Sequence, residues 1–171
     1  MVELRDYQIG IAEQYAEYRN NPVIFDSGYD KVPNPFKLKD AKEFITIQLK
    51  KKPAHRKLIY WRNQFVGEIG IDIKEDVFKL SAEIGYFIAE PFWGNGIATK
   101  AIKLMSDYTF NNFNIIRIEA GVFDFNKSSM RVLEKNNFHL ESIKKNAVLK
   151  NGKIIDDYLW IKLRERSDLN F

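Results

Sequence analysis

The chain has 171 residues, 45% of them hydrophobic, so it is long and apolar enough to form one globular domain, which excludes a disordered chain. It contains no cysteine, which excludes disulfides, cysteine-rich zinc sites and a cysteine-linked acyl intermediate. The net charge is only +4 and the acidic and basic residues are interspersed, so a dedicated nucleic-acid surface is not expected.

Neither a membrane span nor a secretion signal is predicted. No apolar run reaches the roughly 20 residues that cross a bilayer. The opening residues, MVELRDYQIG, carry acidic side chains and lack an apolar signal core. We therefore expect a cytoplasmic protein with no membrane partner. Residues 1–171 are expected to form a single domain, with a polar tail from about residue 164.

The first third of the chain favours one strand followed by two helices. Residues 2–5 form the predicted strand, and Asp6 is a candidate N-cap for the first helix, which residues 20–22 end. Asp40 is a candidate start for the second helix, which Pro53 closes. The predicted buried positions of the two helices are Ile9, Ala12, Tyr15, Ala16, Ala41, Phe44, Ile45, Gln48 and Leu49.

Between these helices, residues 24–37 lack a periodic pattern. The segment contains Tyr29, Asp30, Pro33 and Pro35, which favours an irregular conformation. A long ordered loop with aromatic and acidic groups is often a binding loop, but it can equally be a surface connection. The sequence leaves both interpretations open.

After Pro53 the pattern changes to strands. Residues 57–61, 65–73 and 80–89 are predicted strands joined by short turns, one at Asn63-Gln64 and one near residues 74–76. Successive strands with short links form an antiparallel meander.

A glycine-containing turn separates the third of these strands from a predicted helix over residues 97–112. Pro91 ends the strand because proline has no N–H for the ladder. Gly94 and Gly96 permit backbone angles and close approach that a side chain would forbid. Such a turn presents main-chain N–H groups and the positive end of a helix dipole, which together form an anion site.

Two nucleotide-binding motifs fit this turn poorly. A Walker loop requires Gly-Lys-Ser/Thr, which is absent. The dinucleotide pattern G-x-G-x-x-G matches Gly94 and Gly96 but has Thr99 at its third position, with Glu119 about 20 residues on as a ribose acid. Because the turn follows a meander instead of opening a βαβ unit, a dinucleotide site is disfavoured.

The last third of the chain favours a strand over residues 115–123, a short helix over residues 128–136, and two further strands. The final strands, residues 140–150 and 154–163, flank Asn151-Gly152, a strong hairpin signal. A strand, a helix and a strand joined in this way usually lie parallel. The predicted fold is α/β, with a mixed, mostly antiparallel sheet splayed at a central parallel pair and helices on both faces.

Two motifs resemble the GNAT acyl-CoA-dependent N-acetyltransferases. The segment PFWGNGIATKA is similar to their pyrophosphate loop, Q/R-x-x-G-x-G/A, with Gly96 and Ala98 at the small positions. Trp93 replaces the leading Gln or Arg, as in the branch of ribosomal-protein N-terminal acetyltransferases. Residues 126–138, NKSSMRVLEKNNF, resemble a second motif of that branch, with Asn137 in place of glycine, a mild change because asparagine tolerates left-handed geometry. The order of elements resembles the GNAT fold across nearly the whole chain.

The resemblance implies acetyl-CoA as cofactor and no metal. The pantetheine arm would bond the main chain near Phe87 and Ile88, and the diphosphate would bind the N–H groups of residues 95–99. Asn126 would reach the cofactor's amides, while Trp93 is interpreted as a core aromatic beneath the loop. The implied cofactor-binding residues are Phe87, Ile88, Trp93, Gly94, Asn95, Gly96, Ile97, Ala98, Thr99, Asn126 and Lys135. For Lys100 and Lys135, a solvated charge on a helix is favoured over a contact with the cofactor.

Three residues are candidates for catalysis by the same resemblance. A carboxylate must take a proton from the ammonium form of the acceptor, and Glu83 is the candidate base. The alternative for Glu83 is an acid at a strand edge in solvent or a structural ion pair. The Ile88 N–H would stabilise the oxyanion. Leu133 occupies the position of the tyrosine that many GNAT enzymes use on the thiolate, so Ser129 is the candidate there, with a helix-start cap as the alternative.

The implied activity is acetyl transfer to a primary amine, with a protein N-terminus favoured. A small amine (a polyamine, amino acid or antibiotic) and a non-catalytic acyl-CoA sensor stay open as alternatives, because one fold hosts many functions. Asp156-Asp157 is interpreted as a solvated hairpin pair, with binding of a cationic acceptor as the alternative. His55 and His139 have no ligand partner at short spacing, so neither a triad nor a metal site is predicted. A monomer and a homodimer are both compatible with the sequence.

Overall fold

The computed structural model describes residues 1–165, and the predicted polar tail lies outside the described residues beyond Glu165. Five helices and seven strands are found in that range. The helices are α1 (Ala12–Arg19), α2 (Pro22–Asp26), α3 (Leu38–Leu49), α4 (Ile97–Asn112) and α5 (Lys127–Glu134). The strands are β1 (Val2–Arg5), β2 (Arg56–Trp61), β3 (Gln64–Ile73), β4 (Ser81–Ile88), β5 (Arg117–Phe123), β6 (His139–Lys150) and β7 (Lys153–Leu163).

The strands form a sheet in the order β1-β2-β3-β4-β5-β7-β6. β4 and β5 are parallel, and their register covers Ser81–Glu83 opposite Arg117–Glu119. The pairs β1–β2, β2–β3, β5–β7 and β6–β7 are antiparallel. This arrangement confirms the predicted α/β fold with a mixed, mostly antiparallel sheet and one parallel pair.

The chain divides into two compact units. Among the described residues, the first contains residues 1–70 and 86–101, and the second contains residues 71–85 and 102–165. The division falls inside β3, β4 and α4, so each of these elements contributes residues to both units.

Aromatic side chains form the core of the first unit around Tyr15, which is 1% exposed. Its ring centroid lies 5.8–6.4 Å from those of five other rings, Tyr7, Phe36, Phe44, Phe65 and Phe87. The Tyr15 hydroxyl donates to Glu68 Oε2, and Arg56 Nη1 lies 3.0 Å from Glu68 Oε1. Burial, and then the negative charge of Glu68, raise the pKa of Tyr15 well above its ordinary value. The hydroxyl therefore stays a neutral donor.

Two predictions for the first helix are wrong. Asp6 is not its N-cap, because a 3-10 turn at Ile9–Ile11 precedes α1, and Asp6 Oδ1 instead accepts from Lys57 Nζ at 2.6 Å. Ile9 lies on that turn and is 51% exposed, so it belongs to no buried face. The predicted burial of Ala12, Tyr15 and Ala16 is confirmed.

The segment predicted as irregular begins with a helix. Asn21 caps α2, since its Oδ1 accepts from the N–H of Val23 at 2.9 Å and of Ile24 at 3.3 Å. Near the end of the segment, Phe36 is buried and its N–H donates to Asn20 Oδ1 at 2.7 Å. The start of α2 is encoded by two adjacent residues, the cap Asn21 and the following Pro22. A search for apolar residues at helical spacing does not detect so short a signal.

Several other predicted boundaries shift by one to three residues. The second helix starts at Leu38, and Asp40 accepts from the Lys37 N–H at 2.8 Å. Leu49 at its end is 42% exposed, so its predicted burial is wrong. The first hairpin turn is at Arg62-Asn63, which have positive φ, instead of Asn63-Gln64.

The second unit contains the final hairpin. Asn151 and Gly152 have φ of 49° and 74°, which confirms the predicted turn. Asp156 and Asp157 form ion pairs with Lys145 at 2.8 Å and Lys144 at 3.0 Å, in contacts that are exposed to solvent. Within residues 1–165, no helix is both long and apolar enough to cross a membrane.

Candidate active site

Residues 93–99, called the glycine turn below, comprise the end of the connection between β4 and α4 and the first three residues of α4. Gly94 and Gly96 have φ of 77° and 70°, in the left-handed region that favours glycine. A Cβ atom at either position would meet no heavy atom within 4 Å. The glycines are therefore required by the backbone angles, and the space above them is open to a ligand.

Asn95 and Lys100 fix the hydrogen bonding of the glycine turn. Asn95 Nδ2 donates to the carbonyl oxygens of Phe92 at 3.1 Å and Trp93 at 3.0 Å. The Lys100 N–H donates to the Gly96 carbonyl at 3.2 Å and closes the first turn of α4. Helix geometry leaves the earlier N–H groups without an acceptor inside the helix. The 16 residues of α4 add the positive end of their dipole at this point.

Trp93 is not the predicted core aromatic. Its side chain is 44% exposed, and its Nε1–H donates to the Ile88 carbonyl at 2.6 Å. An indole N–H needs an acceptor, which the end of β4 provides here. Trp93 therefore ties the glycine turn to the last residue of β4.

Gly67 on β3 determines how closely β3 approaches the end of β4, a role that the sequence patterns did not reveal. A Cβ atom at Gly67 would lie 2.1 Å from the Phe87 carbonyl oxygen and 3.0 Å from the Ile88 Cα. Next to it, the Ala89 N–H donates to the Val66 carbonyl at 2.8 Å. The available signal was a glycine inside a strand pattern, which often marks close backbone approach.

Phe87 and Ile88, the residues expected along the pantetheine arm, are both buried at the end of β4. The Phe87 ring packs in the aromatic core against Tyr15, and the guanidinium carbon of Arg19 lies 5.0 Å from its centre. The Ile88 carbonyl already accepts from Trp93. The first unit thus brings together Phe87, Ile88 and the glycine turn.

Glu83, the candidate base, lies half-buried on β4 in register with Glu119 of β5. Glu119 is held by two cations: Lys74 Nζ donates to its Oε2, and Arg117 Nε donates to its Oε1 at 2.6 Å. Although burial opposes its charge, these hydrogen bonds lower the pKa of Glu119. Glu119 is therefore the anion of an ion-pair network. This agrees with the prediction that Glu119 does not bind the ribose of a dinucleotide.

Asn126 begins the second motif, residues 126–138, called the capped helix below. Its Oδ1 accepts from the Ser129 N–H at 3.2 Å and the Ser128 hydroxyl at 3.0 Å, which makes Asn126 the N-cap of α5. The alternative of Ser129 as the helix cap is therefore wrong. Since the oxygen of Asn126 is engaged, its Nδ2 is the group that can donate to a ligand.

Asn137 ends the capped helix in the geometry expected of a glycine. Its φ is 61°, its N–H donates to the Glu134 carbonyl at 3.0 Å, and the Phe138 N–H donates to the Leu133 carbonyl at 3.1 Å. The predicted tolerance of asparagine here is confirmed. Lys135 is exposed. The second unit thus contains Glu83, Asn126, Ser129 and Lys135.

Comparison with known proteins connects both motifs to one family. Residues 2–139 match the model of the acetyltransferase (GNAT) domain. The curated relative "probable N-acetyltransferase YjcK" of Bacillus subtilis is 49% identical over 72 residues, which are 42% of this chain. The chain covers only 40% of the length of that relative.

Solved structures share the fold over nearly the whole chain. The ribosomal-protein-S5-alanine acetyltransferase from Vibrio fischeri superposes with a TM-score of 0.83 at 20% identity, covering 96% of this chain and 94% of that one. Mycobacterium smegmatis RimJ, solved in complex with CoA-disulfide, gives a TM-score of 0.82 at 23% identity, covering 95% and 81%.

Proposed function

This chain belongs to the GNAT acetyltransferase family, and from that premise we propose that it transfers an acetyl group from acetyl-CoA directly to a primary amine. The observation that carries the proposal is the glycine turn, with Gly94 and Gly96 at positive φ before the 16-residue helix α4. Main-chain N–H groups at a helix start suit a diphosphate. The CoA-disulfide bound to the similar RimJ supports the same cofactor.

The proposed cofactor contacts are mostly main-chain. The N–H groups of residues 95–99 would bind the diphosphate, and the main chain at Phe87 and Ile88 would bond the pantetheine amides. Asn126 would donate through Nδ2, because its oxygen caps α5. Lys135 is exposed and would add only a screened charge near the phosphates.

The proposed chemistry begins with deprotonation of the acceptor. A primary amine with a pKa near ~10 is almost entirely ammonium at neutral pH and has no lone pair with which to attack the thioester. Glu83 would accept that proton directly or through a water. The neutral amine then attacks the carbonyl carbon, forming the C–N bond and a tetrahedral oxyanion.

Two groups would stabilise the charges that follow. The Ile88 N–H would donate to the oxyanion, and as a main-chain group it needs no reorganisation. When the C–S bond breaks, CoA leaves as a thiolate, and the nitrogen of the new amide gives its remaining extra proton to that sulfur or to the solvent. Ser129 would donate a hydrogen bond to that sulfur from the first turn of α5, where its own N–H is fixed by Asn126.

The acceptor that we propose is the N-terminal amine of a protein. The support is the branch resemblance of both motifs, together with the similarity to the V. fischeri acetyltransferase, which acts on a ribosomal protein. The test is a thiol-release assay with acetyl-CoA against a panel of N-terminal peptides and small amines. Acetylation of a peptide N-terminus is the expected result, while turnover of small amines alone would contradict this acceptor.

Glu83→Gln tests the base. We expect kcat to fall by about 10²-fold or more, because that is a typical contribution of a positioned base, with acetyl-CoA binding unchanged. Glu75→Gln is the matched control, since Glu75 is an exposed glutamate outside the proposed site. Unchanged turnover in Glu83→Gln would rule out this base. Tight CoA binding without thiol release from any amine would favour a sensor.

A further inference from the structure

Arg19, the last residue of α1, lies beside the end of β4 without an acidic partner. Its guanidinium carbon is 5.0 Å from the centre of the Phe87 ring, and Phe87 directly precedes Ile88. No ion pair of Arg19 is found within residues 1–165, and its Nε is buried with no hydrogen-bond acceptor. The buried carboxylate of Glu68 already accepts from Tyr15 and Arg56.

Three other arginines of the described chain form ion pairs with carboxylates. Arg5 pairs with Glu3 at 2.8 Å, Arg56 with Glu68 at 3.0 Å, and Arg117 with both Glu119 and Glu141. A buried donor without an acceptor is costly, so such a group calls for a partner outside the protein. The planar fork of a guanidinium is suited to two parallel hydrogen bonds with a carboxylate.

The acceptor substrate is the simplest source of a negatively charged group for Arg19. Under the proposed function, the pantetheine segment at Phe87 and Ile88 is uncharged, and the diphosphate lies at the glycine turn. We propose that Arg19 is a specificity-determining residue that binds a carboxylate located close to the amine of the acceptor. This inference rests on the proposed acetyl transfer and deepens it.

A groove at the same end of α1 has the complementary charge. Its volume is about 550 Å³, and its lining residues include Glu17 and Glu90 but not Arg19 itself. Tyr18 and Asn20, the neighbours of Arg19 in sequence, also line it. Acidic walls favour the ammonium form of an incoming amine, and Arg19 favours a carboxylate. The combination fits an acceptor that carries both groups, either a free amino acid or a peptide with an acidic residue next to its N-terminus.

Wild-type selectivity is the first test. The value of kcat/KM for acetylation is measured for an amino acid and its amide, and for two peptides that differ only by Asp or Asn after the first residue. We expect a preference of about tenfold or more for the carboxylate in at least one pair, as for a charge-assisted hydrogen bond. The pair that shows the preference identifies the acceptor class. Equal values within both pairs overturn the inference.

Arg19→Gln is the second test. We expect it to remove that preference by lowering kcat/KM for the acid about tenfold or more, while the value for the amide and the KM for acetyl-CoA stay unchanged. Arg19→Lys keeps the charge without the fork and is expected to retain part of the preference. Arg62→Gln is the matched control. Arg62 also lies over an aromatic ring, that of Trp61, at 4.4 Å, but it has no part in the proposed binding of the substrate carboxylate.

The two proposals fail in distinguishable ways. An equal loss of kcat/KM for acid and amide in Arg19→Gln, with an unchanged melting temperature, indicates a packing role and overturns the carboxylate assignment alone. Thiol release without any carboxylate preference does the same. Absence of thiol release from every acceptor overturns the proposed acetyl transfer, and the inference with it.

Discussion

The glycine turn and the capped helix are both family motifs, but different atoms shape them. In the glycine turn, Gly94 and Gly96 adopt φ of 77° and 70°, and the groups offered to a ligand are main-chain N–H groups. In the capped helix, side chains shape both ends: Asn126 Oδ1 caps the N-terminus, and Asn137 supplies the left-handed residue at the C-terminus.

This difference predicts opposite sensitivities to mutation. A main-chain motif is damaged when a Cβ atom is added, because the backbone angles or the close approach are lost. A side-chain motif is damaged when a polar atom is removed, because a helix end loses its hydrogen-bond partner. The strand that supports the glycine turn follows the first rule as well, through Gly67.

Gly67→Ala should give the largest effect. The added Cβ would lie 2.1 Å from a main-chain oxygen, Phe87 O, which cannot rotate away as a side chain would. Overpacking of this kind costs up to about 3 kcal/mol, so we expect the melting temperature to fall by about 6–12 °C. Thermal unfolding followed by circular dichroism measures the change.

Gly85→Ala is the control for Gly67→Ala. Gly85 lies on β4, and a Cβ atom there meets nothing within 4 Å. We expect a change within about 0.5 kcal/mol, as for other surface substitutions. Equal stability of the two variants would mean that β3 and β4 can move apart without cost, and it would contradict the role assigned to Gly67.

Gly96→Ala comes next, with an expected cost of about 1–2 kcal/mol for a Cβ in the left-handed region. Gly152→Ala is a matched control, since Gly152 has a similar φ of 74° in the β6–β7 turn. Both variants should lose similar stability. Only Gly96→Ala should also weaken acetyl-CoA binding, by about tenfold or more in isothermal titration. Equal binding by the two variants would separate the glycine turn from the cofactor.

Local sequence signals predicted most elements of the fold. The bounds of α4, Ile97–Asn112, are those predicted, because its apolar residues recur at helical spacing after two glycines. The hairpin at Asn151-Gly152 is confirmed for the same kind of reason, as its turn type is encoded by two adjacent residues. The glycine turn was also evident from its residue types, whereas residues 126–138 were identified by their resemblance to a family motif.

Features that depend on tertiary contacts were missed. Asp6 resembles a helix cap in sequence, but Lys57 lies within hydrogen-bond distance only after β1 and β2 pair. Trp93 is apolar enough for a core, yet its N–H finds an acceptor at Ile88 and leaves the ring 44% exposed. The close approach at Gly67 likewise requires the β3–β4 spacing, which no local pattern contains.

Substitutions at Asn126 should give the smallest change in stability but separate the two functions of its amide. Asn126→Ala removes the cap and should cost about 1 kcal/mol, whereas Asn126→Asp keeps an acceptor for the Ser129 N–H and should be nearly as stable as wild type. Because aspartate lacks the Nδ2 donor, both variants should raise the KM for acetyl-CoA if Asn126 binds the cofactor. An Asn126→Asp variant with wild-type KM would restrict Asn126 to capping α5. The capped helix would then differ from the glycine turn in purpose as well as in construction.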